Sequence, residues 1–487
     1  MRKKTILIDW KPDRESDTPL YSQIVTYFSE QIFRGNWVGE QIVPSQRALA
    51  QMFGVNRSTI VEAMNELTAM GLLEGHYGGG TQIAGNSWTT MIQPQTPDWQ
   101  NYIRASHFRS NIPTVQAINY LEFQEGIVRM STGEFSPGLM PAELVKQALA
   151  SLSQRKLHLN YPDPLGLPEM RGAVQGYLKK QGIDVSPSCI LITSGALQAL
   201  QLISNGIVHT KSTIYMESPS YLNSQNIFQS TGAALEGVPM DQDGACPWLI
   251  RSHQNAPCHS LLYTIPTFQN PTGLVMPESR RREVLRFCAQ NHMPVIEDDV
   301  FCDLWLDEPP PPPIKSLDQN GVVLYVGSLS KCFSPGLRVG WLVGPEPVVE
   351  RLADIKMQVD YGVSALSQQA AAELMSSGLY DQGMQEVRAQ LRRRRTLMLE
   401  LLERHFSGLA SWSVPAGGFF IWIQLKNRIS AERVFQLALK QKLLVPPGSI
   451  YGPSYSSCMR LTFGYLSEEE MARSMGRLAE IVRSLRP

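Results

Sequence analysis

A lysine set between hydroxyl side chains, Lys331 in the stretch SLSKCFSPGLRVG, is the residue whose surroundings most suggest chemistry. The apolar run at 322–326 predicts a buried strand that Gly327 ends, so Lys331 should lie just beyond a strand end, where α/β proteins bind ligands. A lysine held there as a neutral amine can condense with an aldehyde, and the aldehyde cofactor that uses such a lysine is pyridoxal 5'-phosphate (PLP). Ser328 and Arg338 would then bind its phosphate. Taken alone, such a stretch is more often an ordinary surface lysine beside serines.

A second anion site is predicted where a strand-like run leads into a helix. Ser194, Gly195 and Ala196 follow the run CILIT and open the helix-like segment LQALQLI. The backbone N–H groups and the dipole at a helix N-terminus attract negative charge, so this turn could hold a phosphate. Glycine turns are common, however, and this one alone indicates no particular ligand.

Three further polar side chains follow other strand-like runs and would suit a flat, protonated ring. Asp298 lies in EDD at the end of PVIED, and a buried carboxylate there needs a cationic partner such as a protonated pyridine nitrogen. Asn270, in NPTG, offers an amide at a turn, and Tyr221, in SPSY, could stack on the ring. Each has an ordinary structural explanation alone, but their order and spacing favour one common site.

The candidate cofactor residues can come together only if the strands they follow belong to one sheet, and the pattern of residues 120–487 predicts such a sheet. Strand-like runs alternate there with helix-like segments, which is typical of an α/β domain with a large, mostly parallel, helix-covered sheet. The runs lie at 189–193, 213–216, 260–264, 294–298, 322–326 and 340–344. The segments after residue 412, with a final helix after residue 467, predict a smaller α+β domain at the C-terminus.

The segment 1–84 has a different pattern, that of short amphipathic helices. A helical apolar stripe runs through 19–34, and Ser45 and Asn56 are placed to cap two helices that a turn at Gly54 joins. Two helices joined by a short glycine turn predict a helix-turn-helix. The glycine-rich sequence GLLEGHYGGGTQIAG that follows predicts a small hairpin, the wing of a winged helix.

Between these two parts, the sequence loses periodicity from about Gly85 to Pro113, and residues 85–119 are expected to form an interdomain linker. Prolines and few charges in NSWTTMIQPQTPDWQ indicate a connection and not a domain core. Trp88, Trp99 and Phe108 suggest that parts of the linker dock on a protein surface.

The N-terminal segment resembles the winged-helix domain of GntR-type bacterial transcription regulators. The family pattern of PS-x-R-x-LA, GV-x-R-x-T and GLL followed by G-x-GT is matched by PSQRALA, GVNRST, GLL and GGGT. The resemblance implies that the second helix enters the major groove of double-stranded operator DNA. The residues implied at the DNA are Ser45, Arg47, Arg57, Ser58 and Thr59, with Gly80 and Thr81 at the hairpin. Each polar residue also fits an ordinary helix cap or a solvated face.

Residues 120–487 resemble fold-type I PLP-dependent aminotransferases, and the whole chain resembles the MocR subfamily of GntR regulators. The motifs matched in order are YPDPLGLPEMR, SGA, SPSY, NPTG, EDD, SLSK, PGLRVG and a late arginine in CMRLTF. The resemblance implies that Lys331 carries the cofactor, that Asp298 contacts its pyridine nitrogen and that Asn270 contacts its phenolic oxygen. It also implies that Tyr221 stacks on the ring and that Arg460 pairs with a substrate carboxylate, a task that suits the guanidinium fork. The phosphate ligands implied are Ser194, Gly195, Ala196, Ser328 and Arg338, with Tyr161 reaching the phosphate of the other subunit.

One position departs from the aminotransferase pattern. Those enzymes usually carry a tyrosine two or three positions after the pyridine aspartate, whereas Val300 and Phe301 stand at these positions here. The cofactor would lose one hydrogen bond to its phenolic oxygen, which argues against efficient transamination while leaving cofactor binding intact.

Composition limits the remaining possibilities. With 44 basic and 44 acidic residues among 487, the formal net charge is zero, so any DNA binding must come from local placement. No run approaches the ~18 apolar residues of a membrane span, the apolar run at the start is too short for a signal peptide, and the seven cysteines form no Cys-x-x-Cys pair. We expect a cytoplasmic protein without membrane or metal. The arginines at 392–395, with Arg388, are expected to be a solvated helix face or, less often, a DNA-supporting patch.

Three functional hypotheses follow from the sequence. The leading one is a homodimeric transcription regulator whose aminotransferase-like domain binds PLP and senses an amine, an amino acid or the cofactor itself. The rival is an active PLP-dependent amino-acid aminotransferase that carries a DNA-binding domain. The third is an architectural dimer that holds the cofactor only for stability. The intact helix-turn-helix favours the first over the second, and Phe301 favours either binding function over the enzyme.

Overall fold

The structure is a computed structural model and describes residues 5–6, 8–16, 18–33, 36–37, 41–76, 80–84, 111–250 and 259–485. The chain divides into two compact units, Met1–Gln124 and Glu125–Pro487. Each unit has a hydrophobic core of its own. Within the described ranges, no helix is long and apolar enough to cross a membrane.

The first unit contains the predicted helix-turn-helix and hairpin. Its elements are α1 (Leu20–Phe33), α2 (Gln46–Phe53), α3 (Arg57–Ala69), β1 (Leu73–His76) and β2 (Gly80–Ile83). Ser45 begins α2 because its hydroxyl accepts the Ala48 N–H at 3.2 Å, and Gly54 ends the helix with a left-handed φ of 67°. β1 and β2 pair antiparallel.

A small apolar core fixes the orientation of α3 in this unit. Phe28 of α1, Leu49 of α2 and Ile60 of α3 are fully buried together. Trp37 packs edge-on against Phe28, with ring centroids 4.9 Å apart. Because the core takes the apolar face of α3, the N-terminal turn of that helix, beginning with Arg57, remains at the surface.

Part of the predicted linker is helical. Helix α4 (Pro113–Leu121) overlaps the end of the expected 85–119 segment, whereas residues 85–110, including Trp88, Trp99 and Phe108, lie outside the described residues. Pro113 occupies the first turn of α4, where its missing N–H is not needed, and Val115 and Ile118 are buried on one face. The last seven residues of the expected linker, 113–119, are therefore helical.

The second unit is organised around an eight-stranded sheet, counted over its described residues. In spatial order the strands are β4 (Ile190–Thr193), β11 (Gly340–Val343), β10 (Val323–Ser328), β9 (Val295–Asp298), β8 (Ser260–Thr264), β5 (Thr213–Ser218), β6 (Ala234–Asp241) and β7 (Gly244–Ala245). The consecutive pairs from β10 to β6 are parallel. β11 runs antiparallel to both β10 and β4, and β7 runs antiparallel to β6.

Helices join and cover these strands, as the alternating pattern predicted. They are α5 (Ala142–Leu152), α6 (Pro168–Lys180), α7 (Ala196–Ile207), α8 (Leu222–Gln229), α9 (Glu278–Gln290), α10 (Ile314–Leu317), α11 (Glu346–Val359) and α12 (Ala365–Ser376). α7 packs on β4, β10 and β11, so its N-terminus is held at the carboxyl ends of β4 and β10 and the amino end of β11.

The smaller C-terminal part is α+β, also as predicted. A long helix, α13 (Leu379–Phe406), precedes the antiparallel strands β12 (Ala410–Trp412), β13 (Phe420–Leu425) and β15 (Cys458–Thr462). It also contains α14 (Ala431–Lys440) and α15 (Glu468–Ser484), which packs on α13. β3 (Val128–Arg129) pairs parallel with β14 (Leu443–Leu444), so the beginning of the second unit is tied to this part.

All six runs predicted as strands belong to the large sheet, but β6 and β7 were not predicted. β6 reads ALEGVPMD, in which only Val238 is buried, and it contains Pro239. Because proline cannot donate to a ladder and most side chains here face solvent, the local sequence lacks the apolar signal of a core strand.

The arginine run on α13 is not simply a solvated face. Arg395 is buried, forms an ion pair with Asp307 and donates to the Pro415 carbonyl at 2.9 Å. Arg392 donates to the Leu306 carbonyl at 2.6 Å, and Arg388 donates to the Asp303 carbonyl at 3.1 Å. These three arginines therefore bind the segment 303–307, which follows β9, and they are not available to DNA as a set.

Candidate functional site

A cavity with an empty volume of about 670 Å³, part of it open to solvent, lies at the carboxyl ends of the central strands. Seven of the predicted residues line it: Ala196, Tyr221, Asn270, Asp298, Ser328, Lys331 and Arg338. They come from segments that follow β4, β5, β8, β9 and β10, and the carboxyl ends of parallel strands meet at one edge of a sheet. The fold therefore brings together residues that are far apart in the sequence.

Lys331 reaches the cavity from the segment after β10. Its Nζ atom donates to the backbone carbonyl of Gly133 at 2.6 Å. Ser330 also lines the cavity, and its hydroxyl accepts from Arg338 Nη1 at 3.4 Å. Sequence reasoning missed Ser330, although its position beside Lys331 in SLSK was an available signal. It could not have found Gly133, which is 198 residues away in the chain.

Asp298 forms the polar floor of the cavity and has one unused oxygen. Its Oδ2 accepts the Tyr263 hydroxyl at 2.7 Å, whereas its Oδ1 is buried without a hydrogen-bond partner. The pKa of Asp298 is raised to about 6, mainly by burial. The Tyr263 hydrogen bond, the Val300 N–H and the positive charge of Lys331 each oppose this shift. A buried carboxylate oxygen of this kind fits a donor N–H from a ligand.

The anion end of the cavity is formed by the N-terminus of α7 and by Arg338. Arg338 has a left-handed φ of 52° and donates from Nη2 to the Ser194 carbonyl at 2.8 Å. Gly195 has a φ of 89°, and a Cβ there would lie 3.0 Å from Arg338 Nη2, so only glycine fits without displacing the guanidinium. The first N–H groups of α7, beginning at Ala196, have no partner within the helix. Together with the guanidinium they could hold a phosphate.

The Ser328 hydroxyl already forms two hydrogen bonds within the protein, which the sequence did not indicate. Its hydroxyl donates to the Val339 carbonyl at 3.1 Å and accepts the Ser330 N–H at 3.1 Å. These bonds hold the turn that presents Lys331, and one lone pair of the hydroxyl is still able to accept. The assignment of Ser328 to a phosphate remains a prediction.

Asn270 and Arg460 form a connected pair beside the cavity. Arg460, in the middle of β15, donates from Nη1 to Asn270 Oδ1 at 2.7 Å and from Nη2 to the Ser131 carbonyl at 2.5 Å. Its guanidinium lies over the Phe420 ring, 4.0 Å from the centroid. Since Asn270 Oδ1 accepts from Arg460, its amide N–H₂ is oriented away from the arginine and can donate elsewhere.

Buried polar side chains below the cavity fix the turn that carries Asn270. Gln269 Oε1 accepts the Thr272 N–H at 3.0 Å, and Gln269 Nε2 donates to Glu217 Oε2 at 3.3 Å. Burial raises the pKa of Glu217, although hydrogen bonds from Thr264, Ile265 and Gln269 oppose the shift. None of these supporting residues was predicted, because polar residues in a turn carry no local sign of what they contact.

Tyr221 and Tyr161 differ in their placement. Tyr221 precedes the first residue of α8 and lines the cavity. Tyr161 is 81% exposed, and its ring lies 5.2 Å from that of Tyr361, outside the cavity of its own chain. An exposed aromatic residue of this kind could contact a second subunit, as predicted.

Phe301 and Val300 form an apolar wall of the cavity. Phe301 is 3% exposed and packs edge-on against Phe419 and Phe420, with centroid distances of 5.8 and 6.0 Å. Three residues after Asp298, the cavity wall therefore carries a phenyl ring without a hydroxyl, and Phe420, which packs against this ring, also lies under the Arg460 guanidinium.

The candidate DNA residues cluster around the turn of the helix-turn-helix. Arg57 and Ser58 are exposed at the start of α3, and Thr59 is half-buried beside them. Arg47 is exposed on α2. Ser45 caps α2 through its hydroxyl, so the ordinary structural explanation accounts for at least that contact.

Two family models match the chain, and both agree with this division. Residues 20–83 match the family described as bacterial regulatory proteins, gntR family. Residues 125–478 match the family described as aminotransferase class I and II.

Curated relatives share the whole arrangement. The uncharacterized HTH-type transcriptional regulator YisV of Bacillus subtilis is 46% identical over 98% of this chain and 99% of its own length. The HTH-type transcriptional regulator NorG of Staphylococcus aureus is 32% identical over 91% of this chain and all of its own length.

Solved aminotransferases share the fold of the larger unit. A kynurenine aminotransferase of Pyrococcus horikoshii, in complex with PMP, is similar with a TM-score of 0.73 at 27% identity, covering 82% of this chain and 99% of that one. The α-aminoadipate aminotransferase LysN of Thermus thermophilus, complexed with N-(5'-phosphopyridoxyl)-L-leucine, has a TM-score of 0.71 at 27% identity, covering the same shares.

Fold and family matches together define a class of protein, a bacterial DNA-binding regulator fused to an aminotransferase-type domain. The chain belongs to the GntR family of transcription regulators, in the MocR-type form in which a class I and II aminotransferase domain follows the winged helix.

Proposed function

We propose that this regulator binds PLP in the described cavity and uses it to sense a small amino compound that carries a carboxylate. The observation that carries the proposal is the buried Asp298 Oδ1, which lacks a partner on the floor of a cavity that Lys331 also lines. A pyridine N–H would satisfy this oxygen, and a carboxylate so placed needs such a donor.

The other residues fit the remaining parts of PLP. The N-terminus of α7 and Arg338 suit the phosphate, Tyr221 suits the ring face, and the amide of Asn270 suits the phenolic oxygen. When bound, PLP would supply an aldehyde that reacts reversibly with primary amines. The role of this chain's own residues is to bind, orient and protonate: Asp298 accepts the ring N–H, and Lys331 presents an amine at 2.6 Å from the Gly133 carbonyl.

Arg460 is the proposed ligand for the carboxylate of the amino compound. Its Nη1 and Nη2 donors are used by Asn270 and Ser131, and a carboxylate would have to share or replace these partners. A change in the contacts of Arg460 would therefore also change the contacts of Asn270 and, through β15, affect the smaller part of the domain. Binding of a carboxylate would therefore exchange the present Arg460 contacts for a second hydrogen-bonding arrangement, and a sensor requires two such states.

The surface of the larger unit supports a homodimer. Leu157, Leu159, Tyr161, Val359 and Tyr361 are large apolar side chains that are more than one third exposed. Exposed apolar residues in this number are typical of an interface with a second copy. A dimer would also present two winged helices to repeated DNA half-sites in the cytoplasm.

The proposal is tested by screening amino acids for a change in the visible absorbance of the PLP-loaded protein, then measuring operator affinity and turnover with each active compound. We expect a compound that changes both absorbance and operator affinity, and we expect Arg460→Ala to abolish the coupling. Rapid multiple-turnover transamination with unchanged operator affinity would instead favour an active aminotransferase, which the Phe301 wall argues against.

A further inference from the structure

A second cavity lies on the other side of the β9 end, away from Lys331. It has an empty volume of about 1070 Å³, part of it open to solvent. The five consecutive prolines at 309–313 form one wall, Trp305 and Asp303 contribute another, and Asp299 lines the cavity next to Asp298 in the chain. A volume of this order is large enough for a small organic molecule.

Asp299 carries an unsatisfied oxygen in this second cavity. The residue is 1% exposed, and its Oδ1 has no hydrogen-bond partner. Its Oδ2 is 3.3 Å from the Tyr325 hydroxyl, but that hydroxyl is also 3.2 Å from Gln181 Oε1, and its single hydrogen cannot serve both acceptors at once. Leaving a buried carboxylate oxygen without a donor is unfavourable.

The nearest cations are engaged elsewhere. Arg281 is fully buried behind Asp299, yet its guanidinium donates to neutral oxygens, the Met276, Pro266 and Pro312 carbonyls and the Thr267 hydroxyl. Arg282 pairs with Glu278, and Lys180 pairs with Asp381 at 2.8 Å. The Asp299 carboxylate therefore has no direct ion-pair partner among the described residues.

The proline wall makes the cavity still richer in acceptors. Proline has no backbone N–H, so the segment 309–313 can offer only carbonyl oxygens. Asp303 is already satisfied, since its Oδ2 accepts the hydroxyls of Tyr177 and Tyr380 at 2.7 and 2.5 Å. The proline wall therefore contributes hydrogen-bond acceptors to the cavity and no backbone N–H donors.

We propose that this cavity is a second ligand site, which binds a small organic cation of the guanidinium or alkylammonium class against Asp299. Planar N–H donors would reach Asp299 Oδ1 and carbonyls of the proline wall together, and the positive charge would stabilise the ionised form of the buried carboxyl group. The site is separate from the PLP cavity, and its ligand needs no reaction with an aldehyde.

Ethylguanidinium is a suitable probe because it carries the required donors and lacks an amine that would condense with PLP. Titration calorimetry on the full chain should show one saturable site at millimolar concentration. The neutral isostere ethylurea should bind at least about tenfold more weakly. Asp299→Asn should weaken ethylguanidinium binding by at least about tenfold, whereas the same change on the surface, Asp354→Asn, and Lys331→Ala should leave it unchanged.

Several outcomes would overturn the proposal. They are the absence of saturable ethylguanidinium binding, equal binding of ethylurea, full binding by Asp299→Asn, or loss of binding in Lys331→Ala, which would assign the site to the PLP cavity. The comparison of the two ligands uses the wild-type protein, so the proposal stays testable even if Asp299→Asn does not fold.

Discussion

Asp298, the last residue of β9, and Asp299, which follows it, line two different cavities. Asp298 lines the cavity of Lys331 and Asp299 lines the proline-walled cavity, because successive residues of an extended chain point to opposite sides. Glu297 is buried and accepts the N–H groups of Ile314 and Lys315, which hold α10 against the sheet. One short motif therefore supplies a candidate cofactor ligand, a second candidate site and a structural anchor.

Replacing Lys331 by alanine should abolish the visible absorbance of the protein after loading with PLP. The prediction rests on the position of its amine in the cavity next to the unpartnered Asp298 oxygen. The measurement is an absorption spectrum before and after borohydride reduction, with the exposed Lys146→Ala as a control. A reducible adduct that persists in Lys331→Ala would show that another lysine carries the cofactor.

The Asp299→Asn variant should gain stability relative to the wild type as the pH rises. Burial, with repulsion from Glu297, raises the pKa of Asp299 to about 8, although the positive charge of Arg281 and the nearby hydroxyls of Thr267 and Tyr325 oppose the shift. Since an unfolded aspartate titrates near ~3.9, the folded protein holds a proton that the unfolded chain has lost between these pH values. The wild type therefore loses up to ~1.4 kcal/mol of unfolding free energy per pH unit from this group over that window.

The measurement is the difference in thermal midpoint between the variant and the wild type at pH 5 and pH 8. The difference should move in favour of the asparagine as the pH rises, and it should level off above the folded pKa. A difference that does not vary with pH would show that Asp299 is ionised at the same pH in both states.

Helix α3 in the first unit and helix α13 in the second each hold functional residues in place. The N-terminal turn of α3 is exposed while its apolar face is buried, so the helix is rigidly held with Arg57 and Ser58 at the surface. In the larger unit, α13 binds the segment after β9 through Arg388, Arg392 and Arg395. The first arrangement suits recognition of a groove, and the second links the floor of the cavity to the smaller part of the domain.

Arg57→Ala should weaken binding to the cognate operator by about 1 to 3 kcal/mol if the side chain contacts a base. Fluorescence anisotropy with operator and mutated operators would measure the loss, and specificity should relax at one base pair. Lys11→Ala, which removes an exposed cation outside α3, serves as a control. A uniform loss on unrelated DNA with a shallower salt dependence would instead make Arg57 a phosphate contact.

Arg395→Met should destabilise the larger unit by about 1 to 3 kcal/mol, because it removes the ion pair with Asp307 and leaves the Pro415 carbonyl without its donor. Thermal unfolding would measure the effect, and the exposed neighbour Arg393→Met is the matched control. Equal stability of the two variants would contradict the structural assignment of the arginine run.

The strands and turns that form the cavity could be predicted from the sequence, because each has a local pattern of apolar and polar residues. The runs ending at Thr193, Asp298 and Ser328 each combine apolar residues with a polar end, and each is a strand that leads into the cavity. The contacts of Lys331 with Gly133 and of Arg460 with Ser131 leave no such pattern. They depend on how segments far apart in the chain pack, which no local periodicity encodes.

At the scale of the molecule, two units with separate cores are joined in one chain, and each has relatives of its own. We expect a homodimer, since the exposed apolar residues around Tyr161 and the need to address repeated half-sites both call for a second copy. Light scattering over a range of concentrations measures the mass. A monomer at every concentration would contradict both arguments.

The position of β11 has a consequence for how the protein is made. β4 is hydrogen-bonded in the sheet to β11, and Thr193 pairs with Gly340, so the early strand has no partner in this sheet until the ribosome has released the later one. Until then β4 is an unpaired edge, and the helix start at Gly195 has no Arg338 to contact. Such distant pairings form slowly during folding. A truncated translation product that ends at Gly336 would therefore contain Lys331 and Asp298 but lack Arg338 and β11, so it could not assemble the anion end of the cavity.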